Sequence, residues 1–285
     1  MSVGTRLGDM GSAEQAAQRA ADSKWVERLG RFGLVAKGFS FGLVGVLAIE
    51  LALGNGGKAT SRQGALAQLA GHGYGKVALV LLALGFAGYA IWRFVQGATA
   101  DADEDAPKKW GKRAGYIGRG AIYAGLTYTT VKLLLGSGQQ QSQNGKAHQT
   151  TATVLGWPAG TWIVGIAGAI IVGVGLWNGY RGITKKFAER WKTGQMSATA
   201  RKWGERVGVV GHLARLVVFA LIGVFAIKAA LDYDPKDAIG LDGALQKLVH
   251  QPYGPALLGL TAAGLVAYGV YCLVDARLRD VAANR

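Results

Sequence analysis

Three charged residues set inside apolar runs are the first candidates for chemistry: Glu50, Lys132 and Lys228. Each stands thirteen positions after another cation, Lys37, Arg119 or Arg215. On a helix that separation is about 20 Å, enough to reach the outer third of a hydrocarbon layer about 30 Å thick. Charges at that depth are costly and often functional. Brought together around a pseudo-threefold axis, one acid between two bases would make an ion cluster, an anion site or a station in a proton-linked step. The alternative is that each side chain snorkels to the outer interface, four residues further on.

The leading cations form a second set. Lys37, Arg119 and Arg215 are each followed four residues later by an aromatic: Phe41, Tyr123 and Phe219. Such a cation at the inner interface meets lipid phosphates while stacking on the ring one turn along. His72, His148 and His250 fall one to each outer loop. Three histidines can bind zinc, but only the first and third stand at near-equivalent positions and no further ligand sits at helical or turn spacing, so no metal site is expected. His212, near the start of the fifth apolar run, reads as a packed or interfacial histidine. Cys272 is the single cysteine, which rules out an intramolecular disulfide, and an inert thiol is the default. No phosphate-binding loop, zinc-protease signature, nucleophile elbow or paired CxxC is present. The expectation is a protein that is not an enzyme and carries no cofactor.

The elements that must position these residues repeat. The stretch Lys37–Gly54 (KGFSFGLVGVLAIELALG) recurs without a gap as Arg119–Gly136 (RGAIYAGLTYTTVKLLLG) and Arg215–Asp232 (RLVVFALIGVFAIKAALD). Fixed self-similarity outranks local motifs as a guide to architecture. A second apolar run follows each copy and ends in aromatics three apart: Tyr89 and Trp92, then Arg93; Trp177 and Tyr180, then Arg181; Tyr268 and Tyr271, then Cys272. Matching loops precede the first and third of these runs, GALAQLAGHGYG at Gly64–Gly75 and GALQKLVHQPYG at Gly243–Gly254. The middle loop, with Trp157, Pro158 and Gly160, diverges.

Half of the 285 residues are hydrophobic, 45 are glycine and 17% are charged. Apolar runs near twenty residues, apolar all round rather than on one stripe, read as transmembrane helices. The predicted fold class is all-α, an integral membrane six-helix bundle built from three tandem two-helix repeats. A cytoplasmic tail covers residues 1–24, and the repeats cover 25–100, 110–190 and 203–280. Ser12–Leu29 reads either as a surface amphipathic helix or as an unstructured tail. The first thirty residues lack an apolar core with a small-residue cleavage site, so the first helix is expected to stay in the mature protein.

The net charge of +15 would suit nucleic acid if it formed one surface. It does not. Of the 32 Lys and Arg, 24 lie in alternate segments that would share one side of a membrane, and 6 lie in the three loops opposite. That asymmetry predicts a plasma-membrane protein with both termini in the cytoplasm. The expected partners are the bilayer and its anionic lipids, together with a membrane complex in which this chain is an accessory subunit, and not nucleic acid. The glycine pairs Gly38/Gly42 and Gly175/Gly179 have the spacing that lets helices approach closely.

These features, the KG…F, RG…Y and RL…F openings, the GAL…YG loops and the aromatic-terminated second helices, resemble the domain of unknown function 1206 family. The resemblance covers about residues 25–280 and implies an actinobacterial membrane protein with tandem two-helix repeats. It implies no activity and no catalytic residue. The middle copy departs from it by lacking the GAL loop. The preferred expectation is a non-enzymatic membrane scaffold or accessory subunit, and the alternative is a small transporter or channel using the charged cluster near the outer leaflet.

Overall fold

The computed structural model describes residues 24–54, 61–71, 73–99, 106–136, 142–189, 191, 194 and 196–279. The tail, most of Ser12–Leu29, His72 and the acidic run 101–105 lie outside the described residues. Within them the chain is all-helical, with one isolated bridge between Trp191 and Arg279. The helices are α1 (Lys24–Ala52), α2 (Arg62–Ala70), α3 (Gly75–Ala98), α4 (Ala106–Leu134), α5 (Gln143–Leu155), α6 (Gly160–Ile183), α7 (Ala198–Leu231), α8 (Leu241–Val249) and α9 (Gly254–Leu278). The expected six are therefore six long helices among nine described. The other three, α2, α5 and α8, fold inside the stretches that the sequence presents as loops.

The loop helices have local causes. Ser61 caps α2 by accepting from the Gly64 amide, and Ser142 caps α5 by accepting from the Gly145 amide. Both satisfy donors that the first helical turn leaves without partners. At the far end of the preceding long helices, Gly54 and Gly136 take φ of 75° and 70°, a left-handed stop that glycine adopts without a Cβ penalty.

Five helices, α1, α3, α6, α7 and α9, are long and apolar enough to cross a membrane. The exception, α4, matches α1 in length at 29 residues but carries Arg119, Lys132 and three threonines. Thr127, Thr129 and Thr130 bond back to carbonyls on their own helix, at Tyr123, Gly125 and Leu126. Their hydroxyls are thus satisfied without water, as a lipid environment requires.

The long helices pack in the order α4, α3, α1, α9, α7, α6. Close glycine contacts hold neighbours together. A Cβ on Gly38 of α1 would stand 2.7 Å from the Gly269 carbonyl of α9, and one on Gly223 of α7 would stand 2.7 Å from the Gly168 carbonyl of α6. Gly175 and Gly179 of α6 likewise sit against Leu216 of α7. Two of the three repeats keep their own helices paired, α1 with α3 and α7 with α9. The helices of the middle repeat, α4 and α6, form the two ends of the arc and share no extensive interface. The arrangement is a pseudo-threefold ring with one open seam.

The seam is visible residue by residue. Gly33 on α1 seats the Tyr89 backbone, with a Cβ there 2.7 Å from the tyrosine Cα, and Gly211 on α7 seats Tyr268 in the same way at 2.6 Å. The equivalent glycine of α4, Gly115, has only its own helix's Arg119 near it, at 3.5 Å. Its missing partner is Trp177 of α6. That residue is 54% exposed, whereas Tyr89 and Tyr268 are 1% and 2% exposed.

At the distal end, away from Lys24 and Leu278, the three short helices meet. Gln143 of α5 donates to Gln63 of α2 at 2.6 Å, and Gly240, the N-cap of α8, donates to Asn144 of α5 at 3.1 Å. They form a lid across that end.

Candidate functional site

The leading cations sit deeper than their place in the sequence predicts. Each apolar run begins at Lys37, Arg119 or Arg215, but the helices begin well before, at Lys24, Ala106 and Ala198. The polar turns that precede the apolar runs are helical too, so the cations fall near the middle of helices of 29, 29 and 34 residues.

Aromatic side chains give the scale. Trp25, Trp110 and Trp203 stand exposed near the proximal ends of α1, α4 and α7, and Tyr74, Trp157 and Tyr253 stand exposed at the distal ends of α3, α6 and α9. Two such belts are how membrane helices mark the two interfaces. Lys37 lies about 18 Å along the helix from Trp25 and about 22 Å from Ala52. The same arithmetic puts Arg215 about 18 Å from Trp203.

Around these cations the repeats converge. The Lys37 ammonium lies 5.6 Å from the centroid of the Tyr89 ring and 5.2 Å from that of Tyr268. Arg215 donates to the Tyr268 hydroxyl at 2.6 Å and lies over the rings of Phe41, Phe219 and Tyr268. Tyr123 packs on Tyr89 at 4.4 Å between centroids, and Phe41 meets Tyr268 edge-on at 4.9 Å. The helical spacing explains the assembly. Cation and aromatic four residues apart share one face, and in α1 and α7 that face turns inward.

Three further arginines complete the cluster. Arg93 is buried and donates to Tyr89 and Gln96, both at 2.6 Å. Arg62, at the start of α2, reaches down from the lid over Phe41 and Tyr123. Arg119 on α4 and Arg181 on α6 stand on the two helices that border the seam. Arg93 and Arg181 had a signal in the sequence, since each directly follows its repeat's aromatic pair. Arg62 had none, because nothing local says that the loop doubles back over the bundle.

No carboxylate among the described residues forms an ion pair with Lys37, Arg62, Arg93, Arg119, Arg181 or Arg215. The buried carboxylate of α9, Asp275, is taken by the Trp191 indole and by Arg279, both at 3.0 Å. The Nε atoms of Arg93 and Arg215 are buried without a partner. The Lys37 ammonium makes no hydrogen bond among the described residues, and its side chain is half-buried. Moving one unpaired charge into such an environment costs several kcal/mol even after relaxation. Of the six, Arg93 is buried, Lys37, Arg62, Arg181 and Arg215 are half-buried and Arg119 is exposed.

Glu50, Lys132 and Lys228 are not brought together. All three are exposed, and none touches the centre. Lys228 pairs outward with Asp232 at 2.9 Å and Asp237 at 2.6 Å, and Lys132 lies over Tyr128 of its own helix. His148 contacts Asn144 and His250 contacts the Gln246 carbonyl, each within its own helix or its cap. No group of three metal-capable side chains occurs among the described residues. His212 is buried against Phe187, with its Nδ1 at 2.7 Å from the Gly208 carbonyl. Cys272 is buried beneath Gly38.

Comparison with known proteins agrees with the repeats. The profile of the Domain of Unknown Function (DUF1206) family matches three successive segments, 32–100, 114–185 and 210–279. An uncharacterized protein of Bacillus subtilis (strain 168), YxxB, is 34% identical over 253 residues, covering 88% of this chain and 90% of the relative. No solved structure matches.

Proposed function

Because this chain belongs to the Domain of Unknown Function (DUF1206) family, whose description states no activity, we propose its function from the geometry: a multi-pass membrane protein that binds an anion at the centre of its bundle and moves it across the bilayer without covalent chemistry. One observation carries this reading. Lys37, Arg62, Arg93 and Arg215 contact a common aromatic centre, Arg119 and Arg181 stand on the helices that border its seam, and no carboxylate among the described residues is paired to any of the six. An ionisable group at mid-membrane marks a functional site by default, and repeats with a site at the midplane are a common transporter plan. In this reading α4 is the sixth span. The proximal end faces the cytoplasm of the plasma membrane with both termini, which protease protection of terminal tags in sealed vesicles tests.

The test of the function is anion-dependent stabilisation of the purified protein in mild detergent. Inorganic phosphate and phosphatidylglycerol are compared with chloride and phosphatidylcholine. A ligand at a hundred times its Kd adds about 2.7 kcal/mol, a clear rise in Tm. The expected result is a rise with at least one phosphate probe that Lys37→Met and Arg215→Met abolish. No rise with either probe overturns the reading.

A second reading, the scaffold or accessory subunit, is favoured by the glycine contacts Gly38–Gly269 and Gly168–Gly223, which suit a rigid bundle better than a moving one. Affinity purification from the native membrane, with mass spectrometry of what accompanies the chain, tests it: a stoichiometric partner supports it and recovery alone removes it.

A further inference from the structure

We propose that the open seam between α4 and α6 is a lateral binding site for an anionic, phosphate-headed lipid, whose headgroup is held by Arg119 and Arg181 at the mouth of the cationic centre while its chains lie along the two helices. The inference rests on the anion-binding reading and adds the substrate class and the route of entry.

The two walls of the seam carry its chemistry. On α4, Arg119 is exposed near the middle of the helix, where a side chain facing bare lipid would strand a guanidinium in hydrocarbon. On α6, Arg181 lies in the last turn of the helix, which ends at Ile183. Arg119 follows Gly115 by one turn and Arg181 follows Trp177 by one turn, so the two flank the pair of positions that meet in the other repeats and stand apart here, and neither is paired with a carboxylate among the described residues. Between them the walls are apolar and aromatic: Trp177 and Tyr180 of α6 are exposed, 5.4 Å apart between centroids, and Gly115 of α4 presents an empty notch. A ligand that satisfies both parts is negative at one end and greasy along its length. A free anion satisfies only the first.

The rest of the molecule favours side entry. The lid of α2, α5 and α8 covers the distal end, bound together by Gln63–Gln143 and Asn144–Gly240. At the proximal end the segment after α6 tucks beneath the bundle, with Phe187 and Trp191 buried against α7 and α9. The remaining neighbouring helices of the arc pack extensively against one another. The seam is the side on which the long helices leave the centre uncovered, and it opens in the plane where lipids diffuse.

The experiment offers the full chain, purified in mild detergent, an equimolar mixture of phosphatidylglycerol and phosphatidylcholine, and reads the retained lipid by native mass spectrometry. The expected result is at least fivefold preference for phosphatidylglycerol, reduced below twofold in Arg119→Gln and in Arg181→Gln and restored in Arg119→Lys. Phosphatidylglycerol with brominated chains should also quench tryptophan fluorescence, and Trp177→Phe should lose part of that quenching. Monodispersity by size exclusion separates a lost site from a lost fold. Equal retention of the two lipids, or a preference untouched by both arginine variants, overturns the proposal. So does complete displacement of phosphatidylglycerol by millimolar inorganic phosphate with the same residue dependence, which would make the ligand a free anion and leave the broader reading standing.

Discussion

Nη1 of Arg215 donates a 2.6 Å hydrogen bond to the hydroxyl of Tyr268, a residue 53 positions away on the neighbouring helix. Arg93 and Tyr89 form the same pair at 2.6 Å inside the first repeat. Both tyrosines then border Lys37, so two equivalent tyrosines, each anchored by an arginine, hold one ammonium between their faces.

Tyr268→Phe keeps the ring and deletes the acceptor. It should cost about 1–3 kcal/mol, the range for a lost hydrogen bond to a charged group. It should also weaken phosphate-dependent stabilisation severalfold, because Arg215 loses its orientation. Thermal unfolding in detergent, with and without inorganic phosphate, reads both effects. Phe41→Leu, which removes a ring but no hydrogen bond, should move stability more than anion response.

The glycine notches predict effects of opposite sign at equivalent positions. Gly33→Ala puts a methyl into the Tyr89 backbone and should destabilise by about 1–3 kcal/mol through overpacking. Gly115→Ala meets only the Arg119 side chain, at an ordinary contact distance of 3.5 Å, and should stabilise by up to about 1 kcal/mol, the usual gain of alanine over glycine in a helix. Equal shifts in Tm for the two variants would contradict the open seam.

Glu50, Lys132 and Lys228 face outward. Glu50→Gln, Lys132→Met and Lys228→Met should each leave phosphate-dependent stabilisation within twofold of the native protein, whereas Lys37→Met abolishes it. A loss at Glu50 comparable to that at Lys37 would show that the outer charges do take part.

Asp275 accepts from Trp191 and pairs with Arg279, tying the segment after α6 to the end of α9. Asp275→Asn should cost about 3 kcal/mol or more, as expected when one partner of a buried ion pair is removed. Hydrogen exchange should quicken first around residue 191, while the distal lid stays protected.

Much of this architecture was legible because it rests on period and composition. The Lys37, Arg119 and Arg215 repeats located three helix pairs, and the aromatic ends of the second helices located residues that now line the centre. The depth of Lys37 was not legible. The turns before it are polar, and only their continuation of the same helix brings the cation to mid-helix. Glu50, Lys132 and Lys228, thirteen residues beyond mid-helix cations, fall near the ends of their helices and are exposed. The lid was signalled only by Ser61 and Ser142 at their capping positions, and the pairing order of helices has no local signature. It depends on which glycine meets which ring, as Gly33 meets Tyr89.

The divergence of the middle copy then acquires a geometric meaning. Three identical units around an axis would present three equivalent flanks, and a molecule diffusing in the membrane would meet the same surface from each of them. By letting one copy drift at Trp157–Gly160 and leaving Trp177 unseated, the chain breaks its own symmetry and gives the bundle a single bearing in the plane of the bilayer. Repetition supplies the charge at the centre, and the imperfect copy supplies direction.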